Sequence, residues 1–413
     1  MLKKINVDQL RLGMFLHELC GSWMDHPFWN TRFLLDNPKD IGRIRDCGIK
    51  EVWIDTGKGI DVEGEAGTGE TRAEAEERME QELLEATLGP TEPVSAVALE
   101  MEIAKATRIC ARAKTAVTSM FAEARMGQAL KAERMTPLVE DISASVSRNP
   151  GAFVSLARLK TKDDYTYMHS VAVCALMVAL ARQLGLGEEE TRAAGLAGLL
   201  HDLGKAAIDL AILNKPGKLT DAEFETVKGH PAAGHRMLLD GSGAGDVPLD
   251  VCRHHHEKID GSGYPDRLAG DAISLYAKMG AVCDVYDAIT SNRPYKSGWN
   301  PAEALRKMNE WSKGHFDQRI FHHFVKAVGI YPTGSLVRLE SGLLAVVLET
   351  SDRALLTPEV KAFYCTRRKQ RILPQVIDLA AAGAEDKIAS WESPEKWNFP
   401  DLDELWSGRS GPI

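Results

Sequence analysis

Long apolar runs are missing from this sequence of 413 residues. The longest, Val171 to Ala181, is far short of the roughly 20 residues that a bilayer-crossing helix needs. The reading is therefore a soluble chain with no membrane span. Its opening stretch, Met1 to Gly13, is polar and lacks the apolar centre of a secretion signal. Cysteine is sparse, with seven residues scattered singly and no Cys-x-x-Cys pair. That argues against a disulfide framework or a zinc ribbon and fits a reduced, cytoplasmic location. A surplus of positive charge is missing too. The formal net charge of −9 argues against a protein that coats DNA or RNA, because that work needs a broad basic face. It leaves room for a small basic pocket that takes a phosphate-bearing ligand. Internal repeats are absent as well.

What is present divides the chain into four parts. Residues 1–60 read as a small N-terminal α/β domain. Ile5-Asn6-Val7 and Glu51-Val52-Trp53-Ile54 have the apolar clustering of short strands, and Lys39 to Cys47 reads as a helix ended by Gly48. Trp23, Phe28, Trp29 and Phe33 are expected to pack that domain's own core. Residues 61–150 read as a linker and helical connector. Asp61 to Gly69 is rich in Gly and Glu, Arg72 to Leu88 is charged and helix-forming, and Ser95 to Ser147 favours long helices. Asn149-Pro150-Gly151 reads as a turn. Residues 151–330 show helix after helix, near Tyr165 to Leu184, Glu188 to Leu203, Asp221 to Leu239 and Leu275 to Thr290. In residues 331–413, Ser335 to Leu339 and Leu343 to Leu348 read as a strand pair joined at Ser341-Gly342, a small C-terminal β appendage. The tail after it gives no reading. The fold class is mainly α.

Seven of the twelve histidines fall between His169 and His256. They include His169, His201-Asp202, His230 and His254-His255-His256, and Asp284 follows. Imidazole and carboxylate suit divalent iron, manganese, nickel and zinc. No cysteine belongs to the set, which points to a catalytic site and not a structural zinc. Several of these groups stand in apolar helical sequence. A carboxylate buried there costs several kcal/mol unless something pairs with it, and a metal ion removes that cost. A single buried histidine, or a His-Asp pair alone, is more often structural, but the ordered series is hard to explain that way. Lys205 lies three residues after Asp202 and four after His201, on the same face of a helix. There it can offer charge to a phosphoryl oxygen.

His201-Asp202-Leu203-Gly204-Lys205 resembles the signature of the HD phosphohydrolase superfamily. His255-His256-Glu257, Asp260-Gly261-Ser262-Gly263-Tyr264-Pro265, Asp284-Val285-Tyr286-Asp287-Ala288 and Arg293-Pro294-Tyr295-Lys296 are similar to the HD-GYP subgroup. Residues 1 to about 140 resemble a domain of unknown function often found ahead of it. The resemblance implies a helical-bundle HD-type catalytic domain and hydrolysis of cyclic di-GMP to pGpG, with GMP as the alternative end product. The implied metal ligands are His169, His201, Asp202, His230, His255, His256 and Asp284. Asp202 would bridge two ions, iron or manganese, together with a hydroxide that attacks phosphorus. Asp202 and Lys205 are the implied catalytic pair. Tyr264, Arg293 and Lys296 are the implied substrate contacts, Arg being suited to phosphate and purine.

In family members with three metals, a Glu one turn before the first His adds a ligand. Tyr165 stands there instead, and a neutral phenol with an ordinary pKa near 10 is a poor ligand. Two metals are therefore expected, with His254 a neighbour of the ligand pair. Partners would be the cyclic dinucleotide and signalling proteins such as diguanylate cyclases, with no nucleic-acid polymer. Two other functions fit the same residues: hydrolysis of another cyclic dinucleotide such as cyclic GMP-AMP, and a sensor or adaptor that binds without turnover.

Overall fold

Apolar residues recur at helical spacing through the middle of the chain and cluster as strands toward both ends, and the computed structural model follows that division. It describes residues 2–20, 32–47, 49–62, 74, 78, 81–82, 99–158, 165–215, 217, 219–291, 298–312, 314–351 and 354–408. The chain divides into two compact units, Met1–Ala86 with Arg306–Lys313 and Thr87–Leu305 with Gly314–Ile413.

In the first unit, β1 (Leu2–Asn6), β2 (Phe15–Cys20), β3 (Phe33–Leu34), α1 (Pro38–Asp46) and β4 (Glu51–Asp55) follow in order. The strands form an antiparallel sheet in the order β1-β4-β2-β3. The two strands expected from sequence are partners, with Ile5 opposite Val52. Asn37 caps α1 by accepting the Lys39 N–H, and Pro38 fills the first turn, where a missing N–H costs nothing. Ile41 and Ile44 of α1 then share a core with Leu16, Val52 and Ile54. Phe33 packs against it. Trp23, Phe28 and Trp29, and most of the expected linker and of Arg72 to Leu88, lie outside the described residues.

The second unit holds α2 (Leu99–Arg125), α3 (Thr136–Arg148), α4 (Pro150–Arg158), α5 (Tyr165–Gln183), α6 (Glu188–Leu200) and a 3-10 turn, Leu203–Ala207. Next come α7 (Leu210–Leu213), α8 (Asp221–Lys228), α9 (His230–Leu239), α10 (Asp246–His254), α11 (Leu275–Thr290), α12 (Pro301–Trp311), whose residues from Arg306 onward count with the first unit, and α13 (Gln318–Val328). Helix α5 is buried on every side from Met168 to Ala181, as its all-round apolar sequence requires.

Three expectations change. The turn at Asn149-Pro150-Gly151 is a junction between two helices, where the Asn149 Oδ1 accepts the Ala152 N–H at 2.9 Å and starts α4. The single helix expected over Asp221 to Leu239 is two. Thr220 and Glu223 form a capping box at the start of α8, and Gly229 with Pro231, which has no N–H, ends it. That break puts His230 at the first position of α9. Helix α6 stops at Leu200, and Lys205 stands on a tighter 3-10 turn rather than on the same α-helix.

The C-terminal region is a five-stranded antiparallel sheet of β5 (Leu336–Leu339), β6 (Leu343–Ser351), β7 (Ala354–Cys365), β8 (Gln370–Asp378) and β9 (Ile388–Trp391), in the order β8-β7-β6-β5-β9. The expected strand pair is β5 and β6, with Gly342 at φ +84° in their turn. Leu336, Leu344, Val346 and Phe363 share one apolar cluster with α2 to α6. The unread tail forms α14 (Pro394–Trp397) and α15 (Leu402–Ser407), and Leu402 and Trp406 join that cluster.

Candidate metal centre and active site

Helix α5 carries His169, the end of α6 presents His201 and Asp202, α9 opens with His230, α10 runs into His255 and His256, and α11 carries Asp284. These seven side chains meet in one buried nest, with Asp202 only 1% exposed. Six of them form two adjoining groups, His169, His201 and Asp202, and His230, His255 and His256. Within each group the candidate ligand atoms lie within 4.8 Å of one another.

Asp202 spans both. Its Oδ2 lies 3.5 Å from His169 Nε2 and 3.4 Å from His201 Nε2. Its Oδ1 lies 3.2 Å from His230 Nε2 and 3.9 Å from His255 Nε2. Asp284 does the same from the other side. Its Oδ1 is 2.9 Å from His169 Nε2, and its Oδ2 is 3.9 Å from His256 Nδ1.

The imidazoles are aimed by groups behind them. The Nδ1 atoms of His201, His230 and His255 face the backbone carbonyls of Gly198, Val227 and Val251 at 2.8, 2.7 and 3.0 Å. His169 Nδ1 faces the Asp287 carboxylate at 2.6 Å. An N–H donated at Nδ1 leaves Nε2 as the lone-pair atom, turned into the nest. His201 Nε2 and Asp202 Oδ1 are buried without a well-aligned hydrogen-bond partner. Buried polar atoms rarely stay so unless something else satisfies them, and this donor set fits divalent cations.

The electrostatics agree. Burial pushes the Asp202 carboxyl up, but Lys205 and the imidazoles of His201 and His230 outweigh it and hold the group well below the usual carboxylate range. Burial opposes Asp284 as well, and His169 is the main offset. Burial, with His201 and His230 beside it, pushes His255 down to about 3. Burial also takes His256 well below its ordinary value. Ionised carboxylates and neutral imidazoles are the forms that bind a metal. His169 goes the other way: burial lowers it, but the carboxylates of Asp284 and Asp287 raise it overall.

Lys205 Nζ reaches Asp202 Oδ2 at 2.5 Å. Tyr264 stacks on His256, with ring centroids 4.8 Å apart and planes at 26°, and burial raises its phenol pKa. Two glycines permit this packing. A Cβ on Gly204 would meet the His230 carbonyl oxygen at 1.9 Å, and one on Gly263 would meet the Lys258 N at 2.4 Å. Arg293 and Lys296 lie outside the described residues.

Two contributors went unassigned in the sequence. Asp287 lies in the motif Asp284 to Ala288, three residues after Asp284, and that spacing is its signal in the sequence. Glu257 is buried, and its carboxylate accepts the N–H groups of Asp266 at 2.7 Å and Leu268 at 3.0 Å, which shapes the loop carrying Tyr264. Only the tertiary structure shows that role.

A helical bundle holding this nest defines an HD-domain protein, the metal-dependent phosphohydrolase class, and residues 140–320 match the HD domain family. Residues 2–135 match a domain of unknown function, DUF3391. The chain is 58% identical over 409 residues to the cyclic di-GMP phosphodiesterase PA4108 of Pseudomonas aeruginosa, spanning 99% of this chain and 96% of that protein. It is 46% identical over 142 residues to the cyclic di-GMP phosphodiesterase response regulator RpfG of Xanthomonas campestris pv. campestris, across 34% of this chain and 37% of that one. It is 37% identical over 166 residues to the 3'3'-cGAMP-specific phosphodiesterase 1 of Vibrio cholerae, across 40% and 38%. The chain belongs to the HD-GYP family, with a DUF3391 domain ahead of its HD domain. Among the described residues no helix is long and apolar enough to cross a membrane.

Proposed function

We propose that this chain is a cyclic di-GMP phosphodiesterase that uses two divalent cations, iron or manganese, and releases pGpG, with GMP as the alternative end product. The observation that carries the reading is the Asp202 carboxylate, one oxygen toward His169 and His201 and the other toward His230 and His255. A carboxylate so placed is what a two-metal phosphoester hydrolase requires. When bound, the cations supply a water acidic enough to attack phosphorus near neutral pH and a positive seat for the phosphoryl oxygens.

The chain's own residues do the rest. Asp202, kept ionised, holds the two halves of the nest at a fixed separation. Lys205 orients that carboxylate and offers N–H to a phosphoryl oxygen as charge builds there. Tyr264, stacked on His256, walls the pocket with a flat face suited to a base. Arg293 and Lys296 grip phosphate and guanine. The choice of cyclic di-GMP over cyclic GMP-AMP rests on the full-length relative at 58% identity, against 37% over part of the chain for the relative named for cGAMP. A cytoplasmic site of action, beside the diguanylate cyclases that make the messenger, follows from the same reading.

The test is turnover by purified, metal-loaded protein with cyclic di-GMP and 3'3'-cGAMP, products separated by chromatography. Faster loss of cyclic di-GMP with pGpG accumulating is the expected result. Preference for 3'3'-cGAMP would reassign the substrate, and tight binding without turnover would make the chain a sensor.

A further inference from the structure

His254 directly precedes the ligand pair, yet it faces away from the nest. Its Nδ1 lies 2.7 Å from Asp250 Oδ1 and its Nε2 lies 3.0 Å from Asp266 Oδ2. Asp250 is one turn back on α10, and its other oxygen accepts a short hydrogen bond from Ser274 Oγ. Ser274 is the N-cap of α11, its hydroxyl accepting the Ala277 N–H at 3.0 Å, and α11 carries Asp284. Asp266 closes the loop that bears Tyr264. Its carboxylate accepts from Arg253 Nε at 2.6 Å and Arg253 Nη2 at 2.8 Å, and its backbone N–H donates to Glu257.

One imidazole therefore joins three pieces that carry site residues. These are the end of α10 with His255 and His256, the 257–268 loop with Tyr264, and the start of α11. We propose that His254 is a positioning residue, which sets the Tyr264 loop against His256 and so shapes the substrate side of the pocket. Side chains behind the contacting groups commonly fix their orientation. Contacts of this kind between a ring and carboxylates are short and directional. A loop displaced by about 1 Å is enough to cost substantial activity. The bridge needs a side chain with a polar atom at each end of a short rigid ring, which the preceding Arg253 and the following His255 cannot supply from their own directions.

The kinetic part of this inference rests on the proposed cyclic di-GMP reaction, while its structural part does not. The experiment uses the full-length protein with His254→Ala and His254→Gln. In His254→Ala the KM for cyclic di-GMP should rise about tenfold with a smaller change in kcat, metal per chain should stay at the wild-type value, and amide hydrogen exchange over 257–268 should quicken. His254→Gln, whose amide still reaches one carboxylate, should recover part of both effects, and it carries the test if the Ala variant does not fold. Adding Asp266→Asn to His254→Ala should raise KM by less than the product of the single effects. Unchanged KM and unchanged exchange would overturn the inference, and so would loss of metal, which would put His254 among the ligands. If the wild type does not turn over cyclic di-GMP, the proposed function falls. The exchange comparison then decides the role of His254 by itself.

Discussion

Asp202 divides its two carboxylate oxygens between the halves of the nest, so its removal undoes both. Asp202→Ala should lower turnover about a thousandfold or more and reduce bound metal, measured by elemental analysis beside the kinetics. Near wild-type activity with full metal would remove the two-metal reading. Asp287 makes a subtler case. It faces His169 Nδ1 and accepts from Ser291 Oγ at 3.1 Å, which fixes the ring and raises its basicity. Asp287→Asn should cost about 10- to 100-fold in metal affinity or turnover. Metal titration of wild type and variant checks it, and equal affinities would assign Asp287 to packing alone.

At the scale of elements, Glu102 ties α2 to α3. It is fully buried and takes hydrogen bonds from Ser145 Oγ at 2.7 Å and from Arg148 Nε and Nη2, each at 2.8 Å. Burial raises its pKa, but Arg148 and Ser145 outweigh that and leave it below its ordinary 4.5. A depressed carboxyl stabilises the fold fully above its unfolded value, and that contribution fades as the pH falls through the folded one. Glu102→Gln should therefore cost about 1–3 kcal/mol at pH 7 and distinctly less at pH 3.5, read by urea unfolding. An equal cost at both pH values would show that the charge is not what matters. The helix boundaries carry a related point. Gly229 and Pro231 decide where α8 ends and α9 begins, and that break aims His230 into the nest.

Across the whole molecule, the C-terminal sheet completes the core. Leu336, Leu344, Val346 and Phe363 pack in one cluster with helices α2 to α6. Burying each such side chain is worth about 1.5–3 kcal/mol, and a domain's total stability is only about 5–15 kcal/mol. A chain ended after Gly329 should accordingly fail to give a cooperative thermal transition, and a sharp transition near the full-length midpoint would refute this. Metal count is also a whole-chain quantity. Tyr165 opens α5 four residues before His169, the position where the family resemblance puts the carboxylate of three-metal members. Wild type should bind two ions per chain and Tyr165→Glu three, by elemental analysis with anomalous diffraction. Three full sites in the wild type would end the two-ion proposal.

The series of candidate ligands that the fold brings together was legible in the sequence, because metal chemistry of the proposed kind needs particular side chains. His169, His201-Asp202 and Asp284 are polar groups in apolar helical sequence, where such groups are kept only by a partner, and His230 and His255-His256 complete the ordered series. The helical middle was legible for a similar reason, since an apolar face must recur at the period of the helix that buries it. What only the tertiary structure decided is everything that depends on contact between distant segments. Asp287 and Glu257 stand inside recognisable motifs, but the motifs do not say that Asp287 backs His169 or that Glu257 holds the Tyr264 loop, and the strands that share the helical core have ordinary local sequences. Their roles come from partners that the sequence does not place beside them. The division of Asp202's two oxygens between two groups of histidines belongs there too, because that geometry is a relation among four chain segments and is written in none of them alone.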